Sequence, residues 1–279
     1  MKKIVTVVLA ALLAATLLAC TGCGNTQSVE NIQKNGELIV YTNAEFAPFE
    51  YISGGKPVGV DIDICQKIAD ELGVTLTVEN VDFDIIVSSV QSGKAALGAA
   101  GMTVTDERKE SVDFSISYTT STQYVITSEE FEVNNIEDLK GMQIGVQLGT
   151  TGDFTVSDEI NGYEDDEGNP VTGVLQDSGA EVITYPNANL AAEALKAGKI
   201  SAVVIDQLPA EIIVQNNSGL HSTELLYPDG STTTEEYAIC VAKGNDSLME
   251  VVNKVLQELL DDGTIEEYII HHSTEAVVE

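Results

Sequence analysis

From Gly36 onward, apolar runs of strand length alternate with amphipathic stretches of helix length. Glu37 to Thr42, Thr75 to Asn80 and Ala95 to Ala100 predict strands, and Asp61 to Leu72 and Asp84 to Ser92 predict helices between them. The first helix carries Ile62, Cys65, Ile68, Ala69 and Leu72 on one face, acidic residues Asp61 and Asp63 in its first turn, and a stop at Gly73. That face reads as core. Strands and helices in this alternation predict an α/β layer with a mainly parallel sheet.

A second series repeats the pattern. Strands are predicted at Gln123 to Thr127, Gln143 to Val146, Val182 to Tyr185 and Ala202 to Ile205, with a short element at Ile136 to Lys140. Helices are predicted at Asn187 to Lys196 and Leu208 to Val214. A strand from Tyr237 to Ala242 and a long helix from Ser247 to Asp261, ended by Gly263, complete the chain. A folded body of about 240 residues fits two domains of ordinary size, and a cleft between domains is a frequent place for a small-molecule site.

Ahead of this body, Lys2 and Lys3 precede an apolar run from Ile4 to Ala19 broken only by Thr6 and Thr16. This predicts a secretory signal over residues 1–20 rather than a buried helix. Its end, Leu17-Leu18-Ala19-Cys20, resembles the lipobox of bacterial lipoproteins, where the cysteine receives a diacylglycerol and becomes the first mature residue. That likeness implies a lipid anchor at Cys20 and a location on the extracytoplasmic face of a cell membrane; a simple cleaved signal is the alternative. Residues 21–35 are polar and read as a tether. No other run has spanning length, so the body is expected to be soluble.

The chain carries 45 acidic residues against 13 Lys and Arg, a formal charge of −32. That excludes nucleic acid as a partner, because a phosphate-backbone binder needs the opposite sign. Any anionic ligand group must be met by a local cation or by backbone amides. The chain has a single arginine, Arg108, in the run AGMTVTDER from Ala100 to Arg108. A guanidinium grips a carboxylate through two parallel hydrogen bonds, which lysine cannot reproduce. The plain alternative is a surface ion pair. Cys65 and Cys240 each lie in an apolar stretch and read as buried free thiols rather than a disulfide. No metal-ligand spacing exists, so no cofactor is expected. His221, His271 and His272 read as surface residues. The acidic segment from Gly162 to Gly179 reads as a solvated insertion, since it lacks the ligand-to-glycine spacing and the terminal bidentate glutamate of an EF-hand calcium loop.

Four segments ask for one explanation: TNAEFAPFEY from Thr42, GVDIDI from Gly59, AGMTVTDER from Ala100 and VQLGTTGD from Val146. In this order they resemble extracellular solute-binding protein family 3, the amino-acid-binding lipoproteins of polar amino acid ABC importers. The likeness runs from about Gly36 to Ile270. It implies a two-lobed type II periplasmic-binding-protein fold, each lobe a mainly parallel sheet flanked by helices. Lobe 1 would take residues 36–120 and 236–279, and lobe 2 residues 121–235. The resemblance assigns the ligand's α-carboxylate to Arg108 and Thr103, beside the Ala100 and Gly101 backbone, with Gly149, Thr150 and Thr151 closing from the other lobe. It assigns the α-ammonium to Asp206, which as a bare sequence feature also reads as a helix N-cap. Phe46 and Phe83 match two aromatic positions that sandwich the ligand, though each also reads as ordinary core. Asn43, Glu45 and Gln147 match the side-chain end. No second arginine stands there, which disfavours glutamate and aspartate. A neutral polar amino acid such as glutamine or cystine is favoured slightly over a basic one. The implied partners are a free amino acid and the permease subunits of an ABC transporter, reached by hinge closure of a monomer that is not an enzyme. The alternative is a secreted cyclohexadienyl or arogenate dehydratase of the same fold, with Glu45 as general acid or base.

Overall fold

The computed structural model describes residues 27–129, 131–165 and 167–277. The expected leader with Cys20 lies outside them, as does the start of the tether. The rest of the expected tether is not extended chain. Val29–Asn35 form helix α1, because Ser28 caps its first turn, Gly36 ends it at φ 75°, and Ile32 is buried. Residues 21–35 are polar on average, yet one apolar residue per turn is enough to dock a short helix.

The elements then run β1 (Glu37–Thr42), β2 (Glu45–Phe46), β3 (Glu50–Ser53), β4 (Lys56–Val58), α2 (Val60–Leu72) and β5 (Thr75–Asn80). A 3-10 turn at Phe83–Ile85 leads into α3 (Ile86–Gln91), followed by β6 (Leu97–Gly98), α4 (Asp106–Ser111) and β7 (Val112–Phe114). The chain crosses to a second sheet through β8 (Thr119–Ser121) and continues as β9 (Gln123–Ser128). After a 3-10 turn at Ile136–Leu139 come β10 (Gln143–Gln147), α5 (Thr151–Asn161), a hairpin of β11 (Tyr163–Glu164) and β12 (Pro170–Val171), and β13 (Glu181–Tyr185). Next are α6 (Ala188–Lys196), β14 (Ala202–Asp206), α7 (Gln207–Asn216) and β15 (Leu220–Glu224). The return crossing is β16 (Glu235–Tyr237), leading to β17 (Cys240–Ala242), α8 (Asp246–Asp261) and α9 (Thr264–Glu275).

Two five-stranded sheets result, ordered β5-β1-β6-β17-β7 and β13-β10-β14-β9-β15. In each, only the fourth strand runs against the other four. The reversed strands, β17 and β9, are the ones that follow a crossing. A chain arriving from the other sheet enters at the end where the parallel strands finish, so it must run away from that end. The crossings β8 and β16 pair antiparallel, Glu235 opposite Ser121 and Tyr237 opposite Thr119.

Burial follows the pattern expected of such sheets. β14 is buried along its whole length, as a central strand covered on both faces should be. Leu248, Val252, Val255, Leu256 and Leu259 recur at helical spacing on α8 and share a core with Ile64, Ile68 and Leu72 of α2. Each such side chain contributes about 1.5–3 kcal/mol by leaving water. α2 begins at Gly59, where a Cβ would stand 2.2 Å from the Phe49 carbonyl oxygen at φ 135°, so no other residue fits.

Several expectations change on folding. The strand predicted from Ala95 to Ala100 pairs only at Leu97–Gly98, because the following small residues leave the sheet to form a cavity wall. Ile136 to Lys140 is a 3-10 turn opened by a capping box at Asn135. The predicted strand from Tyr237 to Ala242 divides between the crossing and the first sheet. The acidic insertion is pinned by the β11–β12 hairpin, with Asp165 accepting from the amides of Glu167 and Asn169. His272 is not a surface residue: it is buried on α9, with Nε2 3.0 Å from Asp63 Oδ2 and Nδ1 3.1 Å from the Tyr51 hydroxyl. Cys65 and Cys240 are free and buried.

Candidate ligand-binding cleft

The C-terminal ends of strands in both sheets converge on one cavity, as open α/β sheets place their ligands. From the first sheet, β1 runs out at Asn43, β5 leads to Phe83, and β6 leads through Ala100 and Gly101 to Thr103 and Arg108. From the second, β10 ends at Gln147 beside Thr150 and Thr151, and β14 ends at Asp206. With Phe46 they line one small cavity, of about 10 Å3.

Arg108 is held from several sides. Thr105 caps α4 by accepting from the Arg108 amide at 3.1 Å. The guanidinium donates through Nη1 to the Thr103 carbonyl at 2.6 Å and through Nη2 to the Gly149 carbonyl at 3.1 Å, and its carbon lies 5.3 Å from the centre of the Phe83 ring. It is buried, which overturns the surface ion-pair reading. Burial lowers its pKa, while Glu235 and, more weakly, Asp206 pull it back up. Two of its five N–H donors serve backbone carbonyls, which leaves others for the cavity.

Opposite Arg108 stands the N-terminus of α5. Thr150 is its N-cap, accepting from the Asp153 amide at 3.3 Å while donating to the Gln147 carbonyl at 2.8 Å, so its hydroxyl is committed to the cap. The first N–H groups of the helix have no intrahelical acceptor and lie at its positive end. Gly149 itself does not line the cavity. Its amide donates to Asp153 Oδ2 and its carbonyl takes Arg108.

Asp206 supplies the opposite sign. It occupies the N-cap position of α7, yet its side chain makes no capping bond, which overturns the simple capping reading. Its carboxylate is buried with Oδ1 unpartnered, and burial, then the charge of Glu235, pushes its pKa up to about 8. At the far end, Gln147 Nε2 donates across the cavity to Asn43 Oδ1 at 3.1 Å, and Gln147 Oε1 has no partner. Asn43 Nδ2 is anchored on the Val81 carbonyl at 2.7 Å. Gly101 closes one wall at φ 51°, where a Cβ would stand 2.7 Å from the Phe46 ring. Glu45 is not brought in: its Oε2 accepts from Asn189 Nδ2 at 3.1 Å on a neighbouring groove, because the β2–β3 turn faces it away.

Residues that the sequence reading passed over complete the site. Glu235 on β16 accepts from Thr103 Oγ1 at 2.5 Å, Thr151 Oγ1 at 2.6 Å and Gln123 Nε2 at 2.7 Å. Asp61, marked in sequence only as a first-turn acid, is wholly buried and accepts from the Gly101 amide at 2.8 Å and the Tyr118 hydroxyl at 2.6 Å. Burial pushes its pKa up to about 6 against those two bonds, and its neighbour Glu50 rises well above the usual range through burial and the Asp61 charge. A carboxylate inside a strand or at a helix start looks like any surface acid in one sequence, so only GVDIDI carried a faint signal for Asp61 and nothing marked Glu235.

A family model of bacterial extracellular solute-binding proteins, family 3, matches residues 38–272. The chain is 29% identical over 269 residues to the arginine-binding extracellular protein ArtP of Bacillus subtilis, covering 95% of this chain and 96% of that one. It is 31% identical over 265 residues to a probable histidine-binding protein of Neisseria gonorrhoeae, covering 94% and 92%. Among solved structures, the amino acid ABC transporter substrate-binding protein AbpA of Streptococcus pneumoniae, bound to L-arginine, superposes with a TM-score of 0.79 at 30% identity, covering 90% of this chain and all of that one. With two sheets joined by paired crossings and the cavity at their strand ends, the chain belongs to the bacterial extracellular solute-binding proteins, family 3, and has the two-lobed type II periplasmic-binding fold.

Proposed function

We propose that this chain captures a free polar amino acid outside the cytoplasm and delivers it to the permease of an ABC importer by closing its two lobes. The observation that carries this reading is one cavity holding a buried guanidinium with spare donors and a buried carboxylate, Asp206, with an unpartnered oxygen. An amino acid zwitterion satisfies both at once. Its α-carboxylate would pair with Arg108 and the first amides of α5, and its α-ammonium with Asp206. Phe46 and Phe83 would flank the aliphatic stem, and Asn43 and Gln147 would meet its polar end.

The unpartnered Gln147 Oε1 favours a side chain that donates hydrogen bonds. The aromatic faces and the charge of −32 favour a cation. Together with the arginine named for ArtP and bound in AbpA, this moves a basic amino acid ahead of glutamine or cystine. In this reading lobe 1 comprises 36–120 and 236–279, lobe 2 comprises 121–235, and β8 and β16 are the hinge. Cys20 carries the lipid anchor and the receptor acts as a monomer. Glu45, the acid that the dehydratase alternative would use, is held by Asn189 outside the cavity, which supports capture over catalysis.

Thermal-shift screening of the twenty amino acids with cystine and ornithine tests the proposal, since a ligand stabilises the folded state by mass action. L-arginine is expected among the strongest stabilisers. A melting temperature unmoved by every one of them would refute the receptor reading.

A further inference from the structure

Glu235 reaches both sides of the cleft. It is buried on β16, and Thr103 is fixed beside it because residues 102–104 pair with 236–238: the Val104 amide donates to the Glu236 carbonyl and the Ala238 amide to the Met102 carbonyl. Thr151, the first residue of α5, approaches from the second sheet. The two hydroxyls converge on one oxygen, Oε2, at 2.5 and 2.6 Å, while Oε1 takes the side-chain amide of Gln123.

A carboxylate only accepts hydrogen bonds, and a hydroxyl has one proton to give. Both threonine protons are therefore spent on Glu235, and what Thr103 Oγ1 and Thr151 Oγ1 turn toward the cavity is lone pairs. Once Asp206 has given up its proton, as pairing with an ammonium requires, they form with it a cluster that accepts and does not donate. Such a cluster suits an ammonium with three N–H donors and repels a carboxylate. This arrangement would keep the two hydroxyls from donating to the ligand's α-carboxylate, the role the sequence expectation gave them.

We propose that Glu235 is a positioning residue that points the hydroxyl protons of Thr103 and Thr151 out of the cleft, so that the site selects a free α-ammonium. The proposal rests on the amino-acid-receptor reading for its ligand, though not for its geometry. It assigns a selectivity: an α-amino acid is held, and the otherwise identical 2-hydroxy acid, which offers one donor in place of three, is discriminated against. Replacing Glu235 by glutamine puts an N–H where an acceptor stood. Because Gln123 Nε2 donates at the other oxygen position and holds the glutamine carbonyl there, that N–H faces the threonines, and one of them then accepts from it and turns its own proton into the cleft, toward the ammonium.

Two measurements test this. Titration calorimetry compares L-arginine with its 2-hydroxy analogue on the wild type and on Glu235→Gln. The variant is expected to lose about ten- to a hundredfold in affinity for L-arginine, the range of a charge-assisted hydrogen bond, and no more than about threefold for the 2-hydroxy acid. Equal losses for both compounds would mean that Glu235 acts on closure or folding alone, and would overturn the proposal, as would no loss for either. Neutron diffraction from deuterium-exchanged crystals of the ligand-free wild type reads the protons directly. Deuterium on both threonine oxygens directed at Glu235 supports the assignment, and deuterium directed into the cavity on either one refutes it. A wild type that binds no amino acid would sink the receptor reading, while the neutron map would still decide the role of Glu235.

Discussion

Asp206 should make ligand binding release a proton. Its carboxyl is buried with one oxygen unpartnered, and its pKa is pushed up to about 8. At pH 7 such a group is about nine-tenths protonated, yet pairing with an ammonium requires the ionised form, so binding expels about 0.9 proton. Ionising it first weakens apparent affinity by a factor of about 11 at pH 7, or about 1.4 kcal/mol. Affinity for L-arginine therefore rises about ninefold from pH 6 to 7, about fivefold from 7 to 8, and levels off above. Titration calorimetry in two buffers of different ionisation enthalpy counts the released protons at pH 7. Asp206→Asn should bind more weakly, with no buffer dependence of the heat and a flat pH profile. The reasoning fails if the wild-type heat is independent of buffer, or if the same pH slope survives in Asp206→Asn.

Three further outcomes are expected. Asp206 and Asp61, raised to about 8 and about 6, hold protons in the folded protein at pH values where the unfolded chain has lost them. The folded state binds more protons there, so unliganded stability contributed by these groups falls as pH rises from about 4 toward 8. Urea midpoints should show Asp206→Asn gaining on the wild type between pH 5 and pH 8, and a constant difference would count against the assignment. Arg108→Lys keeps the charge but cannot serve the Thr103 carbonyl, the Gly149 carbonyl and a ligand carboxylate together. L-arginine affinity should drop about a hundredfold with the circular dichroism spectrum unchanged, and wild-type affinity would remove Arg108 from the site. Gly101→Ala forces a Cβ to 2.7 Å from the Phe46 ring at φ 51°. The strain of about 1–3 kcal/mol should lower the melting temperature by several degrees, and an unchanged value in a scanning calorimeter would contradict it.

Much of the architecture was legible because local patterning carries it. The α2 face, the buried β14 and the spacing along α8 follow from apolar periodicity alone, since each element must bury one stripe or both faces. The arginine was legible for another reason: it stands alone in a strongly acidic chain, and its motif repeats a known order. Eleven of the thirteen expected residues line the one cavity, because strand ends with characteristic turns can be recognised in sequence. Glu45 and Gly149 were drawn in by position within their motifs, and folding turned them elsewhere.

What a single sequence cannot carry is which acids are buried and where hydroxyl protons point. Glu235, Asp61 and Glu50 are three carboxylates among 45 acidic residues, with nothing local to separate them from their solvated neighbours. Their environments arise from segments far apart in the chain: Glu235 meets Thr103 across 132 positions, and Asp61 meets Tyr118 across 57. The sequence by itself determined the alternation of elements, the family and the lone arginine. Only the tertiary structure decided the polarity of the cleft, because desolvation and hydrogen-bond direction are properties of what surrounds a group, and those surroundings exist only once distant strands have been brought together.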